Sequence, residues 1–319
     1  MWFRNILRPK KLTKSPRPGV GTARNVDVQL SSQALKQLER LRLGDSRDLF
    51  GEAVGQRRSS RRKPDIYFRE HRMYVPGDDL RFVDWRASAR HESVFLKQGE
   101  QTKEAVVYLL LDCSASMAWG NPAKNIVQLQ LAAALGYLAL ARGDRLYIHP
   151  IGGYDNTHLG YLRGKGQTIN LVNYLRNLTF GGEVALLDGV RTFSRTITLD
   201  GVLFILSDLI GVEDLDKLLG YFPAPVWDVA MFHILHPEEI NPQLEGPVQM
   251  IDSENGLTGN FNISKKALQE YVQRIEKWRR YQELTCVENH TFYTMIPANW
   301  NLEREVLGHL RERRVVRSL

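Results

Sequence analysis

The sequence predicts an α/β protein built on a doubly wound, mostly parallel sheet, with a small β-rich segment ahead of it and a basic N-terminal tail. Two continuous apolar runs, VVYLLL at residues 106–111 and GVLFIL at 201–206, have the composition of strands covered on both faces, as parallel strands are. From the first run onward, strand-like and helix-like segments alternate to the C-terminus, the pattern of βαβ units. Both runs end in hard oxygen donors, Asp112, Ser114 and Ser116 after one and Ser207 and Asp208 after the other. Sheets of this class place their ligand sites at the carboxyl ends of strands.

In chain order, residues 1–28 mix Pro9, Pro16, Pro18, Gly19 and Gly21 with scattered basic side chains, the composition of a mobile tail. Ser31 or Ser32 is placed to cap a short helix running from Gln33 to Leu43, with Leu35, Leu38 and Leu41 or Leu43 on one face. Arg57, Arg58, Arg61, Arg62 and Lys63 then form either a solvated linker or a docking strip for an acidic surface. Residues 1–63 are thus expected as a largely flexible extension, 64–102 as a β-rich segment packed on the main domain, and 103–319 as that domain.

Ile66 to Val75 suggests a strand broken by the turn Pro76-Gly77-Asp78-Asp79, and Val94 to Leu96 another. Between them, LRFVDWRASAR interleaves Arg81, Arg86 and Arg90 with aromatic residues. Asp78, Asp79 and Asp84 would repel phosphate, so internal Arg–Asp pairing is favoured there over a nucleic-acid surface. Beyond Met117, helices are expected at about 123–142, 168–178, 186–196, 213–221, 264–283 and 302–313, and strands at 145–151, 226–235, 248–252 and 291–296. Trp278 and Tyr281 are read as core residues of the long charged helix.

Composition narrows the function. At 319 residues and 43% hydrophobic the chain can hold one large α/β domain with extensions, or two modest ones. No apolar run approaches the roughly 18–20 residues that span a bilayer. MWFRNILRPKKL lacks the apolar core and cleavage site of a secretory signal. A cytoplasmic protein is expected, with peripheral contact to a membrane surface left open. Cys113 and Cys286, the two cysteines, do not form a disulfide framework or zinc pattern. Residues 1–63 hold 16 of the 43 Lys and Arg but 5 of the 36 Asp and Glu, so the excess positive charge belongs to the extension and the body is slightly acidic. A specific nucleic-acid groove in the body is not expected.

Chemistry concentrates at the two strand ends. A cation such as Mg²⁺ takes about six oxygens near 2.0–2.1 Å, several of them water. Ser114 and Ser116 could bind it directly, while Asp112 and Asp208 supply charge. The same triplet could instead cap the following helix. No phosphate loop with its Lys-Ser/Thr signature is present. His233 and His236 fall on opposite faces of a predicted strand, against a zinc pair. A serine nucleophile has no histidine near it in sequence.

Asp112-Cys113-Ser114-Ala115-Ser116 resembles the metal-ion-dependent adhesion site of von Willebrand factor A domains, with Asp208 at its later acidic position. YVPGDDLRFVDWRASAR followed by LLLDCSASMAWG resembles the bacterial family called domain of unknown function 58. The similarity runs from about Pro64 to the C-terminus and includes VQMIDSENGLTG. The resemblance implies a von Willebrand factor A-like fold holding Mg²⁺ or Mn²⁺, and a role as adaptor or co-chaperone of a MoxR-type AAA+ ATPase. An acidic group of a protein partner would complete the metal. One departure stands out: the loop where such domains place a metal-binding Thr reads GGEVALLDGV and has none. The position falls on Glu183, which would add a carboxylate ligand, or on Val184, which would leave the site incomplete. The expected ligands are therefore Asp112, Ser114, Ser116, Asp208 and Glu183. The expected function is a non-enzymatic interaction module; the alternatives are a metal-dependent hydrolase and a binder of anionic surfaces through the tail.

Overall fold

The computed structural model describes residues 28, 30–44, 66–75, 83, 85–89, 93–101, 105–182, 185–251 and 258–319. The tail through residue 27, the basic stretch 57–63, the turn 76–79, Arg81, Asp84, Arg90, Glu183 and Val184 lie outside the described residues. The chain divides into two compact units, one within Met1–Gly55 and Ala105–Leu319, the other within Gln56–Glu104.

The elements, in chain order, are α1 (Ser32–Leu38), β1 (Leu41–Leu43), β2 (Ile66–Met73), α2 (Trp85–Ser88), β3 (Phe95–Gln101), β4 (Val106–Asp112), α3 (Lys124–Arg142), β5 (Arg145–Ile151) and β6 (Leu159–Arg163). They continue with α4 (Thr168–Arg176), α5 (Leu186–Thr196), β7 (Val202–Ser207), α6 (Leu215–Leu219), β8 (Asp228–Leu235), α7 (Pro237–Ile240), β9 (Gly246–Ile251) and β10 (Thr258–Ile263). Last come α8 (Lys265–Glu288), β11 (Phe292–Pro297), α9 (Leu307–Glu312) and β12 (Val316–Ser318). In the smaller unit, β2 and β3 pair antiparallel.

The larger unit is organised by a six-stranded sheet of order β11-β8-β7-β4-β5-β6, parallel except for β6 at one edge. Every residue of β4 is buried, and its side chains alternate between two cores, as strand geometry requires. Val107, Leu109 and Leu111 pack with α3, α4 and α9 on one face; Val106, Tyr108 and Leu110 pack with α5, α6 and Cys286 of α8 on the other. The helix α3 is apolar nearly all round because it is covered nearly all round. It stops where Gly143 turns left-handed at φ 85° and donates back to Ala139 and Leu140.

The helix expected from Gln33 to Leu43 is shorter. Ser31 caps it by accepting from Ala34 N at 2.9 Å, but it ends at Leu38, and Leu41–Leu43 is a strand paired with β12. Leucines at 38, 41 and 43 fit both a helical and an alternating period, and the partner 275 residues away in register decides for the strand. Strands β6 and β10 had no apolar signature because most of their side chains face solvent. Tyr281 is not core: it is 61% exposed, whereas Trp278 is half-buried against His233.

At the other end of the sheet, β7 enters beside β4 through Gly201. A Cβ there would lie 2.1 Å from the carbonyl oxygen of Val106. Gly201→Ala is expected to cost on the order of 1–3 kcal/mol, as overpacking does, and to lower the urea midpoint. Gly166→Ala, where an added Cβ meets nothing, serves as the control.

Candidate functional site

Strands β4, β7 and β8 lie side by side, and their carboxyl ends deliver the oxygen-rich residues to one place. From β4 the chain passes through α3 to β5 on one side, while β7 lies on the other, so the strand order reverses between β4 and β7, the position where sheets of this class place ligand sites. Gln128 holds the two strand ends together. Its Nε2 donates to the carbonyl of Asp112 at 2.9 Å and to that of Leu206 at 3.0 Å.

After Asp112 the chain makes a short 3₁₀ turn, residues 115–118, that brings Ser114 and Ser116 to the same side. Their Oγ atoms are 2.9 Å apart. Neither hydroxyl caps the following helix, whose cap is Ala123 and carries no side-chain bond, so the capping alternative is not the arrangement adopted. Asp112 accepts from Ser114 N at Oδ1 (2.9 Å) and from the Ser207 hydroxyl at Oδ2 (2.6 Å). Burial, reinforced by the negative charge of Asp208, pushes the Asp112 carboxyl up to about 6.

Asp208 sits deeper, with no exposed surface. Its Oδ1 accepts from Ile210 N, and its Oδ2 takes the ammonium of Lys124 at 2.6 Å. The same ammonium reaches Glu239 of α7 at 2.5 Å. Burial pulls Lys124 down and the two carboxylates more than reverse it, so its pKa ends above the ordinary value. Glu239 is raised by burial and by Asp208, against the pull of Lys124. Glu239 also accepts from His236 N at 2.7 Å, closing a capping box on α7. The turn after Asp208 is strained, with Leu209 at φ 55°, and is held by Leu209 N donating to Ser207 Oγ.

His233 underlies this turn. One ring nitrogen, Nε2, faces the carbonyl of Asp208 at 2.9 Å, which can only accept, so Nε2 carries the proton and Nδ1 accepts from Tyr293 at 2.6 Å. Burial lowers His233 to about 3 and keeps it neutral. His236 instead accepts from Glu238 N through Nδ1 and stacks edge-on with Trp119, so the two histidines form no metal pair.

Of the expected ligands, the structure brings Asp112, Ser114, Ser116 and Asp208 to one end of the sheet. Glu183 lies outside the described residues, but its loop begins there: Gly181 N donates to the Cys113 carbonyl, and Ala115 N to that of Gly182. The two serine hydroxyls are hydrogen-bonded to each other at 2.9 Å, a separation that two oxygen ligands at right angles on Mg²⁺ would also have, about 2.9 Å. Asn125 Oδ1 and Gln128 Oε1, buried near the start of α3, have no hydrogen-bond partner among the described residues. Among the described residues no three His, Cys, Asp or Glu side chains form a metal-holding group, so a cation here depends on the hydroxyls. Sequence reasoning missed Lys124 and Glu239. The available signal was Lys124, Asn125, Gln128 and Gln130, four polar residues near the start of a helix that is apolar from Leu131 to Ala141.

Two carboxylates, Asp208 and Glu239, thus share one ammonium. Lys124→Met leaves two buried carboxylates unpaired and is expected to cost about 3–5 kcal/mol. Glu239→Gln leaves the Lys124–Asp208 pair intact and should cost about 1–3 kcal/mol. Urea unfolding of the two variants checks the order.

The described residues contain no helix long and apolar enough to cross a membrane. Curated relatives from Mycobacterium bovis and from two strains of Mycobacterium tuberculosis, each described as an uncharacterized protein, are 25% identical over 212 residues. The match covers 64% of this chain and 66% of theirs, just under two thirds of their length. Among solved structures, the conserved hypothetical protein BatB from Bacteroides thetaiotaomicron aligns at TM-score 0.39 and 13% identity, over 66% of this chain and 98% of that one. The pilus adhesin SpaC from Lactobacillus rhamnosus GG aligns at 0.31 and 12%, over 67% and 31%. Both likenesses are too distant to define the fold. The model of the family described as protein of unknown function DUF58 matches residues 70–281, two thirds of the sequence, and the chain belongs to that family.

Proposed function

We propose that this protein is a non-enzymatic interaction module whose von Willebrand factor A-like carboxyl edge binds Mg²⁺ or Mn²⁺ and, through it, an acidic group of a protein partner. The observation that carries the reading is the pair of serine hydroxyls beside the Asp112 carboxylate, hydrogen-bonded to each other at 2.9 Å and not spent on capping a helix. Asp112, Ser114 and Ser116 would hold the ion, with water and the partner's acid on the remaining positions. The bound ion would supply a positive charge that fixes a carboxylate at the surface. A MoxR-type AAA+ ATPase is the partner that the family resemblance brings forward, with this chain as its adaptor. Hydrolysis has less behind it, because His233, the histidine in contact with Asp208, spends both nitrogens on structural bonds.

Titration calorimetry tests the metal. Wild type is expected to bind Mn²⁺, Asp112→Ala to lose binding, and Ser114→Ala and Ser116→Ala each to weaken it tenfold or more. No heat from wild type would refute the reading. Because a proton competes for a carboxyl that titrates near 6, affinity should fall about tenfold per pH unit below that value and level off above it. Without metal the sign for stability is the reverse. The native carboxyl holds its proton more tightly than the unfolded one, so its contribution is lost as pH rises from about 4 to 6. Immobilised protein should retain a MoxR-type ATPase in Mg²⁺ and release it with chelator; equal capture in both would separate the partner from the metal.

A further inference from the structure

Lys124 is the most unusual group at this edge. It is a lysine with no exposed surface, placed at the first position of a helix, where the helix dipole disfavours a cation. What makes the position tenable is its pair of contacts, Asp208 Oδ2 at 2.6 Å and Glu239 Oε1 at 2.5 Å. Asp208 has its other oxygen on Ile210 N, so both of its oxygens are engaged. Asp112, Ser114 and Ser116 retain a little exposure, 4%, 4% and 7%, while Asp208 and Lys124 have none.

We infer that Lys124 is a permanent internal counter-cation that divides this centre in two: Lys124, Asp208 and Glu239 form a sealed structural triad, and a divalent ion is confined to Asp112, Ser114 and Ser116. The inference rests on the metal reading proposed above for its second half, and on the triad's geometry alone for its first. For a metal to take Asp208 directly, the fully buried ammonium would have to leave both carboxylates. Glu239 would then be left buried without its partner. The lysine therefore stays, and Asp208 acts on the metal only through its charge. Lys124 is a positioning residue in this scheme. It fixes α7 and the start of α3 against the end of β7 and lowers the negative charge that the ion meets.

Two measurements test this. Amine acetylation followed by mass spectrometry, on the unaltered protein with and without Mn²⁺, reads whether Lys124 leaves its pocket, with the exposed Lys265 and Lys266 as internal controls. Lys124 is expected to stay unmodified in both conditions and to react in urea. Reaction in the native protein, or on adding Mn²⁺, would overturn the inference. Mn²⁺ calorimetry supplies the second readout. Asp208→Asn should weaken binding by less than tenfold, Lys124→Gln should tighten it about tenfold or more, and the double variant should return close to wild type. Loss of binding in Asp208→Asn that still folds by circular dichroism, or unchanged affinity in Lys124→Gln, would refute the division. If wild type binds no Mn²⁺, the metal reading and the confinement of the ion both fail, and acetylation still decides whether the triad is sealed.

Discussion

A lysine ammonium stripped of water is stable inside a protein only where carboxylates take the place of its hydration shell. The contact of Lys124 with Asp208 and Glu239 meets that condition and ties together three pieces of chain: the start of α3, the end of β7 and the short helix α7. The strained turn at Leu209, the neutral His233 beneath it and the capping box on α7 are all built around these carboxylates. The carboxyl edge of the sheet is thus organised by one buried cation supplied by the chain itself.

The residues beside this triad are held differently. Asp112 bonds to Ser114 N and Ser207, not to Lys124, and it feels the negative charge of Asp208 at close range. A carboxyl in this position takes up a proton readily, since that relieves a charge that burial disfavours. The two serine hydroxyls beside it offer neutral oxygens. The edge therefore grades from a satisfied interior to a less satisfied rim, and the rim is the part with exposed surface.

Much of this was legible in the sequence. Continuous apolar runs identified β4 and β7 as doubly covered strands, and their terminal Asp and Ser residues marked the edge that the structure assembles. The alternation of helices and strands fixed the sheet as mostly parallel. These signals are local: they depend on composition and period within a few residues. Where side chains face solvent, as in β6 and β10, no such period exists and the strands were invisible. Where one leucine spacing fits two periods, as at Leu38, Leu41 and Leu43, only pairing with the C-terminal strand β12 resolved it.

The sequence by itself determined which residues carry oxygen at the strand ends, because strand termini and the polar residues that follow them are adjacent in the chain. Tertiary structure alone decided which charges meet. Lys124, Asp208 and Glu239 are separated by 84 and 115 positions from lysine to each carboxylate, and no local rule relates them. Their encounter follows from the order β8-β7-β4 in the sheet and the return of α3 over it. In the fold the lysine is fully buried, paired with Asp208 just past the end of β7 and with Glu239 of α7.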